Sequence, residues 1–195
     1  MVFMPRFHAA EWRELSADQK KHAVAISLEG KAIFRTVFND VVRGVADAVS
    51  PMNVFCLLDN GVPVSVLRVT AERGKGSIFF HDMVSENNGS NRAFYRFTRE
   101  NFGAGRTPMQ ELFLRALHWA KPLGCSRIRG FFLKKGKKFL ERQVSDGLLG
   151  PCNAVNFEAL QTPFELSANP EKLAEHPRTR FGGVAGRLLT HFRRH

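Results

Sequence analysis

The run Asn53-Val-Phe-Cys-Leu-Leu-Asp-Asn-Gly-Val-Pro-Val-Ser-Val-Leu-Arg-Val-Thr70 decides how the rest of the chain is read. Two β-rich stretches, Asn53–Leu58 and Val62–Thr70, flank Asp59-Asn60-Gly61. Asn-Gly tolerates the left-handed backbone that a tight hairpin turn demands, so the two stretches are expected to pair antiparallel. Gly74-Lys-Gly76 turns the chain again into a third strand, Ser77–Val84. The expectation is an antiparallel three-stranded meander.

Downstream, Glu86–Ser90 reads as a loop and Asn91–Phe102 as a helix. Thr107-Pro-Met-Gln110 then offers an N-cap, a proline at the first helical position and a capping-box glutamine. Met109, Leu112, Phe113, Ala116, Leu117 and Ala120 mark one apolar face of that helix, and Pro122 and Gly124 stop it. A strand over Arg127–Leu133, a short helix over Lys134–Val144, and strands over Asn153–Leu160 and Pro163–Leu166 follow, with a last helix over Val184–Arg194. Upstream, residues 10–50 read as helical. Ser16-Ala-Asp-Gln19 fits a capping box; Phe34, Val37, Phe38, Val41 and Val45 form the stripe of a second helix, ended by Ser50-Pro51. This order resembles the layout of an acyl-CoA N-acyltransferase-like fold. The expected class is therefore α/β (α+β), a mostly antiparallel central sheet flanked by helices.

With 195 residues, 44% of them hydrophobic, the chain can bury a core without staples, and no repeat or linker divides it. One domain is expected: N-terminal helices over 1–50, a mixed sheet core over 51–167 and a basic tail over 168–195. The three cysteines, Cys56, Cys125 and Cys152, contain no CxxC spacing, so they read as reduced thiols rather than a zinc ribbon or redox motif. No stretch of His, Cys and Asp has metal-ligand spacing, and no metal is expected. Residues 1–8 lack the apolar core of a signal peptide, and no apolar run approaches the roughly 18 residues of a spanning helix. A cytoplasmic protein, or one peripheral to the inner membrane, is expected.

The net charge of +11 is concentrated: residues 127–142 carry +6 and residues 168–195 carry +4. Clustered charge points to an anionic partner, a lipid headgroup, a lipopolysaccharide precursor or RNA. The densest patch is Lys134, Lys135, Lys137 and Lys138, beside Phe131, Phe132 and Phe139. Arg92, Arg96 and Arg99 recur at i, i+4 and i+7 and so share one helical face, a second candidate for anions.

Phe102-Gly-Ala-Gly-Arg-Thr-Pro108 places two glycines and an arginine just before a helix N-terminus. Orphan N–H groups and the helix dipole attract anions there, so Gly103, Gly105, Arg106 and Thr107 are candidates for holding the phosphates of a cofactor. His81-Asp82, late in the third strand, supplies candidate general bases, and Tyr95 a candidate general acid. The cofactor expected is acyl-CoA or another acyl thioester.

The stretch Ala93–Leu117, with Ile128-Arg-Gly130, Gly150, Asn156-Phe-Glu-Ala-Leu160 and the Arg-rich 177–187, resembles the bacterial VirK-type virulence-associated proteins. That resemblance implies an acyltransferase-like fold and a role at the bacterial envelope or in virulence, and it supplies no catalytic residue. The function expected is transfer of an acyl group to an anionic acceptor. The alternatives are a non-enzymatic basic module that binds nucleic acid or an anionic membrane, and a scaffold or secreted effector.

Overall fold

A computed structural model describes residues 6–29, 51–86, 89–132, 134–151 and 162–175. The second N-terminal helix, the strand over 153–160, the C-terminal helix and Cys152 lie outside these residues. Among the described residues seven strands form one sheet: β1 (Phe7–Glu11), β2 (Met52–Asp59), β3 (Val62–Glu72), β4 (Ser77–Ser85), β5 (Arg127–Phe132), β6 (Leu149–Pro151) and β7 (Thr162–Ala168). The helices are α1 (Ala17–Glu29), α2 (Ser90–Phe102), α3 (Pro108–Ala120), α4 (Lys134–Ser145) and α5 (Pro170–Glu175).

The sheet order is β1-β2-β3-β4-β5-β7-β6. Every neighbouring pair is antiparallel except β4 with β5. The meander read from the sequence is the centre of this sheet. Asn60 and Gly61 turn it with φ of 50° and 83°, the left-handed values that asparagine and glycine tolerate best. β1, α5 and β6 are elements that the sequence reading did not resolve. Residues 7–11, expected at the start of a helical region, pair with β2 from Phe7↔Asp59 to Glu11↔Phe55.

Alternation along the strands gives the sheet two apolar faces. Phe55, Leu57, Leu67, Val69, Ala71 and Ile78 pack with Leu112, Phe113, Ala116 and Leu117 of α3 and with Phe94 of α2. On the other face Val54, Cys56, Leu58 and Val66 pack with Leu15, Ala23 and Ile26 around α1. Both helices begin as read. The Ser16 N–H donates to Gln19 Oε1 at 2.9 Å and the Gln19 N–H to Ser16 Oγ at 3.2 Å. The Gln110 N–H donates to Thr107 Oγ1 at 3.2 Å and the Thr107 N–H to Gln110 Oε1 at 3.0 Å.

Candidate functional site

The parallel pairing of β4 and β5 is short, running from Ser77↔Arg127 to Phe80↔Gly130. Beyond it β4 continues to Ser85 beside β3, and β5 continues beside β7. The sheet therefore opens between its two central strands towards their C-terminal ends, the end at which α/β sheets take ligands. α3 enters at that end. Its far end returns to the start of the junction, where the N–H groups of Ser126 and Arg127 donate to the Gly76 carbonyl at 3.0 and 3.1 Å. Midway, the Phe113 ring lies 5.3 Å from the Phe80 ring. A proline at its first turn and 13 residues of helix, about 20 Å, set the span.

His81 sits at the apex of this opening. The β3–β4 register steps from Val69↔Phe80 to Arg68↔Asp82, so His81 is an extra residue, a β-bulge. A bulge interrupts strict side-chain alternation and re-aims the residue it contains. His81 Nε2 lies 2.7 Å from Thr70 Oγ1, and its ring is 4.8 Å from the Phe79 ring. Burial, reinforced by the positive charge of the wholly buried Arg68, pushes the imidazole down to about 4, with Glu72 opposing. The ring is thus neutral around pH 7. It can accept a proton, but it is a weaker base than an exposed histidine. Asp82 lies next in the chain, opposite Arg68 in the ladder.

The loop before α3 is organised largely by its own chain. Gly103 closes α2 with φ of 75°, its N–H donating to the Arg99 carbonyl at 3.1 Å. The Arg106 N–H donates to the buried hydroxyl of Thr98 at 2.8 Å. The Arg106 side chain turns inward: Nη1 lies 3.2 Å from Oε2 of Glu111, whose other oxygen is 3.1 Å from Nε of Arg115. Glu111 is fully buried, and the two guanidiniums are nearly so. Arg106, read from the sequence as a phosphate contact, is here a clamp on the first turn of α3. Thr107, read the same way, caps that turn.

Gly105 has a different neighbour. A Cβ built on it would lie 2.4 to 2.8 Å from Cζ, Cε2 and Cε1 of Tyr95, so the phenol ring lies across the glycine. Tyr95, read as a general acid, stands on α2 beside the loop rather than on the sheet with His81. The structure brings Tyr95 and Gly105 together, and it joins His81 to Thr70, which the sequence reading did not single out. Thr98 and Glu111 were missed as well. Only Glu111 left a local signal, its i, i+4 spacing to Arg115.

Arg92, Arg96 and Arg99 form an exposed row on α2, with no ion pair to any of the three among the described residues. Lys134, Lys135, Lys137 and Lys138 lie in the first turns of α4, Lys138 exposed. Among the described residues no group of His, Cys, Asp and Glu is placed to hold a metal. Likewise, no helix there is long and apolar enough to cross a membrane.

No family model matches the chain, and no curated protein is similar to it in sequence. Solved structures are similar in fold. The spermidine/spermine N-acetyltransferase SpeG of Vibrio cholerae superposes with a TM-score of 0.54 at 10% identity, over 88% of this chain and 98% of that one. An acetyltransferase from Streptococcus agalactiae gives 0.52 at 13% identity, over 84% and 99%. An acetyltransferase of the GNAT family from Staphylococcus aureus gives 0.51 at 10% identity, over 83% and 98%. The chain has the fold of an acyl-CoA N-acyltransferase, as its sequence layout suggested.

Proposed function

We propose that the protein is an acyltransferase that takes its acyl group from acyl-CoA or another acyl thioester. The carrying observation is the opening between β4 and β5, with His81 at its apex and the N-terminus of α3 at the same end. A thioester lying in that cleft would bring its carbonyl to the bulge and its phosphates towards the loop before α3.

The transfer is direct. The acceptor's amine or hydroxyl attacks the thioester carbonyl, the C–S bond breaks, and the thiolate leaves and takes up a proton from solvent. His81 or Asp82 takes the acceptor's proton. Thr70 holds the His81 ring in place through Nε2. Because Arg68 disfavours a second positive charge, the proton passes on to solvent rather than resting on the ring. A His81→Ala, Asp82→Ala double variant that keeps full activity removes this assignment.

The acceptor is anionic, with a lipid headgroup, a lipopolysaccharide precursor or RNA as the candidates. The support is the charge of +11, concentrated at 127–142 and 168–195. The Vibrio cholerae protein named above acts on polyamines, which are cations, and the charge of this chain points the other way. The VirK-type likeness of residues 93–117 supports a setting at the bacterial envelope.

A non-enzymatic basic module is the second reading, favoured by the exposed arginine row of α2. Thermal melting with acetyl-CoA, long-chain acyl-CoA, free CoA and a short RNA duplex separates the two. A ligand at 100 times its dissociation constant adds about 2.7 kcal/mol of apparent stability. A saturable upward shift with a CoA species supports the acyltransferase. A shift with RNA alone, lost as salt rises, overturns it.

A further inference from the structure

The loop before α3 spends much of its hydrogen-bonding capacity and its one cationic side chain on its own chain. Its N–H groups at Gly103, Arg106 and Thr107 are committed to Arg99, Thr98 and Gln110, and Pro108 has none. Its single cationic side chain is clamped by Glu111. If a diphosphate lies at this end of the sheet, most of the positive charge facing it must come from another element.

α2 is that element. It stands between β4 and α3, and Thr98 binds it to the loop. Tyr95 is the neighbour of Arg96, three residues after Arg92 and four before Arg99, so on a helix it sits against the arginine row. One side of its ring lies across Gly105, while the residue stays 41% exposed. The row spans seven residues, about 10 Å of helix, long enough to meet two separate phosphate groups. Exposed arginines pair with phosphates in charge-assisted, often bidentate contacts, and an aromatic ring with a free side stacks a base.

We propose that α2 holds the nucleotide end of the donor: Arg92, Arg96 and Arg99 pair with the phosphates of a 3′-phosphorylated adenosine diphosphate, and Tyr95 stacks its base. This rests on the acyl-thioester reading above. Gly105 is then required to seat that ring, since any side chain there lifts Tyr95 out of its place.

The test is equilibrium binding of CoA, 3′-dephospho-CoA and adenosine 3′,5′-bisphosphate to the full chain. It compares the wild type with an Arg92→Gln, Arg96→Gln, Arg99→Gln variant and with Tyr95→Ala and Tyr95→Phe. All the altered side chains are exposed, and unchanged melting temperatures confirm that the variants fold. The wild type is expected to bind CoA about tenfold more tightly than 3′-dephospho-CoA, with that preference gone in the triple variant. Tyr95→Ala should weaken all three ligands about tenfold, while Tyr95→Phe and wild type bind alike. Wild-type affinity for CoA in the triple variant overturns this proposal and leaves the acyltransferase reading standing. Failure of the wild-type protein to bind any CoA species overturns both.

Discussion

The carboxylate of Glu111 holds the guanidinium of Arg106 at 3.2 Å, inside the protein and within the first turn of the helix that Arg106 precedes. With Arg115 on its other oxygen, Glu111 is the shared counter-charge of two nearly buried cations. Replacing it by glutamine removes that shared counter-charge from both. Glu111→Gln is expected to lower stability by about 3 kcal/mol, read from urea unfolding. A loss below about 0.5 kcal/mol would show that the triad does not hold the loop. Arg106→Ala removes the same clamp, so a loss of ligand binding in that variant needs a folding control.

His81 makes stability depend on acid. Its folded value of about 4 lies below the ordinary 6.5. Between those two values the unfolded chain binds a proton on this imidazole and the folded chain does not. Stability is therefore intact above about pH 6.5, falls as pH drops through the window, and loses up to about 3 kcal/mol by pH 4. His81→Gln should flatten that part of the stability profile. An unchanged slope would mean that other groups set it.

Thr107 closes the capping box of α3 by accepting from the Gln110 N–H. Thr107→Ala is expected to cost about 1 kcal/mol, and Thr107→Ser much less, because serine keeps the accepting oxygen. Equal losses in the two variants would shift the explanation from the cap to the methyl group.

Cys56 lies wholly inside the core beneath α1, and burial pushes its thiol up to about 12. Alkylation of the native protein at neutral pH should leave it unmodified, and unfolding should expose it. Rapid labelling of Cys56 under native conditions would be inconsistent with this packing.

Where a contact is local, it was readable in the sequence. The turn at Asn60-Gly61, the caps at Ser16 and Thr107 and the apolar face of α3 each rest on residues within one or two turns of one another. β1 was not readable as a strand, because Phe7 has its partner at Asp59 and no local pattern announces a five-residue edge strand. The same holds at the site. His81 was singled out for its chemistry, yet the bulge that contains it exists only in the register with β3, and Thr70 meets it across that register. No local pattern gives Tyr95 a place, since its seat on Gly105 depends on how the chain folds back after α2. The pairing of Arg106 with Glu111 is not legible for a simple reason: a glycine-arginine loop before a helix has the same appearance whether its charge faces outwards or into the core.

Delete His81 on paper and the β3–β4 ladder becomes continuous. Phe80 would still face Val69, Asp82 would still face Arg68, and Met83 and Val84 would keep their partners Leu67 and Val66. Backbone pairing has no use for this position. A chain one codon shorter could build the same sheet, so whatever retains a residue here acts through its side chain or through the kink it introduces, not through the architecture.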